Sequence, residues 1–150
     1  MAKRPHLDLG NYMPYLINRV GFALVANMTA DALAPHQLSI AMWRVLAALS
    51  NNGEQRQIDL AGMTSIDAST LSRLVTRLVR MGLVSRSRSQ RSNREVVVEL
   101  TPKGRALVQR LIPVAKGLER TAIAGLSGRD LEVVKRALRQ MYKNMAGDIR

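Results

Sequence analysis

The run Gln57-Ile-Asp-Leu-Ala-Gly-Met-Thr-Ser-Ile-Asp-Ala-Ser-Thr-Leu-Ser-Arg-Leu-Val-Thr-Arg-Leu-Val-Arg-Met-Gly-Leu-Val84 reads as two helices joined by a tight turn. A short helix is predicted over residues 57–63, and Thr64-Ser65-Ile66 makes the turn. Asp67 is an N-cap, because its carboxylate can accept the free amide protons that open the next helix. That helix runs to about Met81. Gly82 follows as the C′ residue, where glycine adopts the left-handed conformation at little cost. At about 100° per residue, Leu71, Leu74, Val75 and Leu78 share one face. The other face carries Ser69, Arg73, Thr76, Arg77 and Arg80, with Thr70 and Ser72 at its edges.

Between Asp67 and Glu95 lie 27 residues with seven arginines (73, 77, 80, 86, 88, 91 and 94), no lysine and no acid. Solvated faces usually mix signs, so an unopposed set of arginines points to an anionic partner. Arginine keeps its charge at any working pH, and its planar fork matches phosphate and guanine edges. Small hydroxyl residues at the helix start allow close approach to base edges or phosphates, and Arg73 and Arg77 reach further one turn later. In helix-turn-helix proteins the N-terminal half of the second helix enters the major groove. Downstream, Leu83-Val84 begins one strand and Val96-Val97-Val98-Glu99-Leu100 is a second. The polar segment 86–94 between them forms a hairpin tip, carrying Arg86, Arg88, Arg91 and Arg94. Its reach suits a wing that meets the DNA backbone or a narrow minor groove.

The flanks are helical. Apolar residues recur at helical spacing over about residues 9–33, with Pro14 in the first turn and Pro35 as the break. Residues 39–49 form a second helix, stopped by Asn51-Asn52-Gly53. Thr101-Pro102 starts another helix, an N-cap followed by proline at N1. It continues to about Ala124, with Pro113 as a kink. Ser127-Gly-Arg-Asp130 resembles a capping box. The last helix carries Leu131, Val134, Leu138, Met141 and Met145 on one stripe. The expected fold is mainly α with a small β-hairpin wing: a winged helix-turn-helix lobe at about 37–101, flanked by helices at about 1–35 and 102–150 within one domain of 150 residues. Long end helices that each bear an apolar stripe cannot all bury it against one small lobe, so a homodimer is expected.

Composition narrows the function classes. A formal charge of +12 calls for a polyanion, either nucleic acid or an anionic membrane surface. With no cysteine, thiolate metal sites, disulfides and cysteine nucleophiles are excluded, and a reducing cytoplasm is a natural setting. No window approaches ~18 uninterrupted apolar residues, and the basic start Met1-Ala-Lys-Arg-Pro-His lacks the apolar run of a signal peptide. The two histidines, His6 and His36, stand apart from any close carboxylate pair, and there is no phosphate-cradling glycine loop or metal-ligand spacing. No catalytic residue, cofactor or metal is therefore expected. The alternatives that remain are a sequence-specific regulator binding double-stranded DNA and an architectural protein binding it without preference.

The residues 57–84, together with Trp43-Arg-Val-Leu46 upstream and Val98-Glu-Leu-Thr-Pro-Lys-Gly-Arg105 downstream, resemble the DNA-binding segment of MarR-family transcriptional regulators. The resemblance implies a triangular homodimer on a pseudo-palindromic operator, with the terminal helices interleaved as its base. It places Ser69, Thr70, Ser72, Arg73, Thr76 and Arg77 in the major groove and makes Arg94 the wing arginine. Three positions depart from the family pattern: Ser92 replaces a wing aspartate, Ser89-Gln90 an Asp-Pro, and Ser65 a glycine in the helix-turn-helix turn. Relatives commonly respond to small anionic aromatic compounds bound between the dimer base and the lobe. By that analogy Tyr12, Tyr15, Arg19, His36, Met42, Trp43 and Met63 are expected to line the crevice of an effector, an aromatic acid or its coenzyme A thioester. Core packing is the competing explanation for the methionines and Trp43.

Overall fold

Helix boundaries in this chain follow its capping chemistry. The computed structural model describes residues 4–92 and 94–146; residues 1–3, Asn93 and residues 147–150, which include the very start of the basic N-terminus and one position of the predicted hairpin tip, lie outside them. Two compact units are present, Met1–Lys116 and Gly117–Arg150. The first contains α1 (Met13–Met28), α2 (Ile40–Asn52), β1 (Gln55–Arg56), α3 (Gln57–Thr64), α4 (Ala68–Arg80), β2 (Val84–Arg88), β3 (Val96–Leu100) and most of α5 (Pro102–Ala122). The second contains the end of α5 and α6 (Gly128–Ala146). This is a winged helix-turn-helix with additional helices. No helix among the described residues is long and apolar enough to cross a membrane.

The first helix is shorter than its apolar spacing predicts. A 3-10 turn at Leu9–Asn11 is held by the Asp8 carboxylate, which accepts from the Gly10 amide at 3.1 Å, and Tyr12 is extended. α1 then begins with Pro14 in its first turn, where the missing amide proton costs nothing. After Met28 the chain widens into a π-helical turn, Thr29–Leu33, which buries Ala32 and Leu33, and Pro35 falls in the 3-10 turn Ala34–His36. The Ser39 hydroxyl accepts from the Met42 amide and opens α2, and Gly53, at φ 74°, closes it.

The sheet has three strands where the pattern predicts two. β3 is central and antiparallel to both neighbours, in the order β1-β3-β2. β1 pairs Gln55 with Val98 and Arg56 with Val97, and two residues are too few to show an alternation. β2 extends to Arg88, so the hairpin tip starts later than residue 86. The core of the first unit is aliphatic: Leu33, Met42, Val45, Leu46, Leu60, Leu71, Val75, Leu78, Val98 and Val108 are fully buried.

α5 starts against the end of α4. The Thr101 hydroxyl donates to the Gly82 carbonyl at 2.6 Å and accepts from the Gly104 amide at 3.0 Å, so it caps α5 while satisfying α4. Lys103 Nζ donates to the Met81 carbonyl at 2.9 Å, and the Thr101 amide to the Leu83 carbonyl at 3.1 Å. Pro113 lies inside α5 and withdraws one donor from its ladder. In the second unit the Ser127–Asp130 capping box forms as predicted, the Asp130 amide donating to the Ser127 hydroxyl at 3.1 Å and the Ser127 amide to the Asp130 carboxylate at 3.2 Å. α6 has no buried residue.

At Gly104 a Cβ atom would sit 2.0 Å from the Leu83 carbonyl oxygen. Backbone cannot yield as a flexible side chain does, so Gly104→Ala must push α5 away from the Leu83 backbone, between α4 and β2. The expected cost is about 1–3 kcal/mol, the usual range for overpacking. Urea unfolding followed by circular dichroism measures it; an unchanged midpoint would contradict the close approach.

Candidate nucleic-acid interface

α4 is placed by its two ends. Upstream, Ser65 adopts the left-handed conformation at φ 55°, as its replacement of glycine in this turn requires. Asp67 follows, its carboxylate accepting from the Thr70 amide and the Ser69 hydroxyl, each at 2.9 Å. Hydrogen bonds from the Thr70 hydroxyl, the Thr70 amide and the Ser69 hydroxyl, in that order, hold the Asp67 carboxyl down at about 2 against an ordinary value of 3.8. Downstream, Gly82 at φ 72° ends the helix. Between them Leu71, Val75 and Leu78 are fully buried and Leu74 half-buried, while Ser69, Arg73, Arg77 and Arg80 are exposed and Thr70, Ser72 and Thr76 half-buried. Ser72, Arg73, Thr76, Arg77 and Arg80 together line one open groove. Arg73 Nη2 reaches only as far as the Thr70 hydroxyl, at 3.4 Å.

The wing carries the remaining arginines, in two different situations. Pairing of Arg86 with Val98 and of Arg88 with Val96 puts both on the strand, on the same face of the sheet as Val84. Arg86 turns toward α4: its Nη2 donates to the Ser72 carbonyl at 3.0 Å and to Thr76 Oγ1 at 2.9 Å. Arg91 and Arg94 are exposed in the loop between β2 and β3. That loop is closed by the Ser89 amide donating to the Glu95 carbonyl at 2.8 Å and the Glu95 amide to the Ser92 carbonyl at 3.1 Å. Where the family pattern has an aspartate, Ser92 accepts from the Arg94 amide at 3.4 Å.

The base of the wing is braced instead by Arg56. Its guanidinium makes a two-toothed pair with Asp59, at 2.7 and 3.0 Å, and donates to Glu95 at 2.8 Å. These bonds, to Asp59 first and Glu95 second, raise the Arg56 pKa further. Arg56 escaped the reading of the sequence because Glu95 is 39 residues away, and β1 is what brings the two together.

The seven residues expected to line an effector crevice do not converge. Met42 is fully buried in the core. Trp43 and Met63 line a cleft with Arg44, Ala47, Thr64 and Ser65. Arg19 stacks over Tyr15 on α1, its guanidinium carbon 5.7 Å from the ring centroid, and Tyr12, just before the helix, is exposed. Only His36 reaches a crevice of suitable character, about 270 Å³, with Met81, Leu83 and Leu107 as apolar lining and Lys103 and Arg110 as cations. Helical periodicity identifies an apolar face, but it does not say which element covers that face.

The MarR family model matches residues 38–96. The HTH-type transcriptional repressor NicR of Pseudomonas putida is 31% identical over 105 residues, which are 70% of this chain and 66% of NicR. A MarR-family transcriptional regulator from Silicibacter pomeroyi has a similar structure, with TM-score 0.83, 31% identity and 97% of each chain covered. Bordetella bronchiseptica BpsR, whose structure concerns regulation of its DNA binding by 6-hydroxynicotinic acid, has TM-score 0.75 and 30% identity, covering 85% of this chain and 96% of its own.

The Asp67 cap makes α4 sensitive to acid in a defined window. The folded carboxyl titrates below its ordinary 3.8, so its stabilising effect is complete above that pH and is lost as the pH falls toward about 2. The melting temperature of Asp67→Asn, which keeps a capping oxygen but cannot titrate, is expected to fall less than that of the parent protein between pH 5 and pH 2. Equal slopes in both proteins would refute this role for the carboxylate.

Proposed function

The chain belongs to the MarR family of transcriptional regulators, and we propose that it is a cytoplasmic repressor that binds a pseudo-palindromic operator as a homodimer and is released by an aromatic carboxylic acid or its coenzyme A thioester. One observation carries the DNA-binding part: the exposed face of a capped α4 presents Ser69, Arg73, Arg77 and Arg80 directly opposite three fully buried aliphatic residues. That face has one orientation available to it, outward. Ser69, Thr70, Ser72, Arg73, Thr76 and Arg77 make the major-groove set. Arg88, Arg91 and Arg94 serve the backbone and the minor groove, and Arg86 supports the helix. The protein is a binding protein without catalytic residues.

Dimerisation has its own support. α1 leaves Leu16, Ile17, Val20 and Phe22 exposed, Phe22 at 76%, and α6 leaves Val134, Leu138 and Met145 exposed, Met145 at 74%. Apolar stripes of this length on both terminal regions are what a second copy would bury. The terminal helices, about 1–35 and 102–150, then form the dimer base of a single functional domain.

The effector reading rests on the crevice that adjoins the C-terminal end of α4. Its apolar lining suits an aromatic ring, and His36, Lys103 and Arg110 suit a carboxylate. Lys103 serves two places at once, because it also donates to the Met81 carbonyl at the end of α4. An anion that draws Lys103 into the crevice removes that bond. Such a ligand binds the DNA-incompetent arrangement better, which is the differential affinity that release requires.

Competition binding at fixed salt tests both parts. A selected operator should be held ~10³-fold or more tighter than random DNA, whereas uniform affinity would make the protein architectural. Arg73→Ala should cost about 1–3 kcal/mol and relax base preference, and Arg94→Ala should mainly flatten the salt dependence. Arg110→Ala should raise the concentration of aromatic acid needed for half-release by about tenfold, as expected for a lost charged hydrogen bond. If a panel of aromatic acids and thioesters shifts neither melting temperature nor operator affinity, the effector reading fails.

A further inference from the structure

The hydroxyl of Thr76 has a fixed hydrogen-bonding direction. A threonine hydroxyl offers one proton and two lone pairs. Thr76 Oγ1 donates to the Ser72 carbonyl at 3.0 Å, one turn back along α4. Arg86 Nη2, 2.9 Å away, occupies one lone pair of the same oxygen. The O–H cannot point at a donor bound to its own oxygen, so it is left to the Ser72 carbonyl, which Arg86 Nη2 also reaches at 3.0 Å. One lone pair is left over. It belongs to a half-buried side chain lining the groove with Ser72, Arg73, Arg77 and Arg80.

The three arginines of that groove can only donate, and donors read the O6 and N7 acceptors of guanine. Adenine N6 and cytosine N4 are amino groups and need an acceptor. We propose that Thr76, held acceptor-only by Arg86, reads an exocyclic amino group of adenine or cytosine in the major groove, with Arg86 as its positioning residue. This rests on the assignment of α4 to the major groove. It gives Arg86 a role in base preference through Thr76 without any contact of its own with DNA.

The test begins with an operator selected from a random duplex pool by the full-length protein. Each adenine is then replaced in turn by nebularine, which lacks the N6 amino group, and each cytosine by 2-pyrimidinone, which lacks the N4 amino group. At one position the parent protein should lose roughly three- to tenfold in affinity, the range of a single neutral hydrogen bond. Thr76→Val, which keeps the shape and removes the oxygen, should lose a similar factor on the natural operator and nothing further on the analogue. Thr76→Ser should keep the dependence, and Arg86→Gln should weaken it at that position alone while melting normally. Coupling of Thr76 to a 7-deazaguanine site, or to no adenine or cytosine at all, overturns the proposal and leaves the regulator reading intact. A pool that yields no preferred sequence overturns both.

Discussion

Three segments meet where the Leu83 carbonyl lies against Gly104, and the rest of the first unit depends on that contact. The carbonyl accepts from the Thr101 amide and leaves no space for a side chain at residue 104. Within a few residues α4 has ended, the wing has begun and α5 has started. Thr101 and Lys103 satisfy carbonyls that α4 would otherwise leave unpaired, at Gly82 and Met81. The position of the arginine-bearing helix is thus set as much from α5 as from the helix-turn-helix turn. A crevice whose lining includes Met81, Leu83 and Lys103 is therefore in contact with the junction that holds α4 in place.

The local chemistry of this fold was legible in the sequence. Asp67, Gly82, Thr101-Pro102 and the Ser127–Asp130 box each act over four residues or fewer, and each is found in the predicted role. The buried face of α4 followed from spacing alone. What stayed hidden depended on pairing between distant segments. β1 exists only because β3 offers it an edge, and Arg86 finds Ser72 and Thr76 only through the register of β2 on β3. The same limit applies to the effector candidates: Met42 and His36 look alike along the chain, yet one is sealed in the core and the other opens on a crevice.

Charge is mixed on one side of the lobe and unopposed on the other. Glu54, Asp59, Glu95 and Glu99 share one broad concavity with Arg56, Arg88 and Arg91, while Arg73, Arg77 and Arg80 share the groove along α4. Two of those acids are used at the wing's base, where Asp59 and Glu95 engage Arg56. The wing thus has a firm root, and Arg91 and Arg94 stand exposed in the loop beyond it. Exposed arginines add to the long-range attraction to a polyanion.

The bond from Arg86 to α4 also bears on how such proteins can be re-engineered. Exchange of recognition helices between relatives treats the helix as a cassette, complete from its N-cap to its terminal glycine. Here the chemical character of one helix residue is set by a side chain on the following strand. The smallest portable unit is therefore the stretch from Asp67 through Arg86, and a helix moved without its strand partner would present a different hydrogen-bonding face to the same bases.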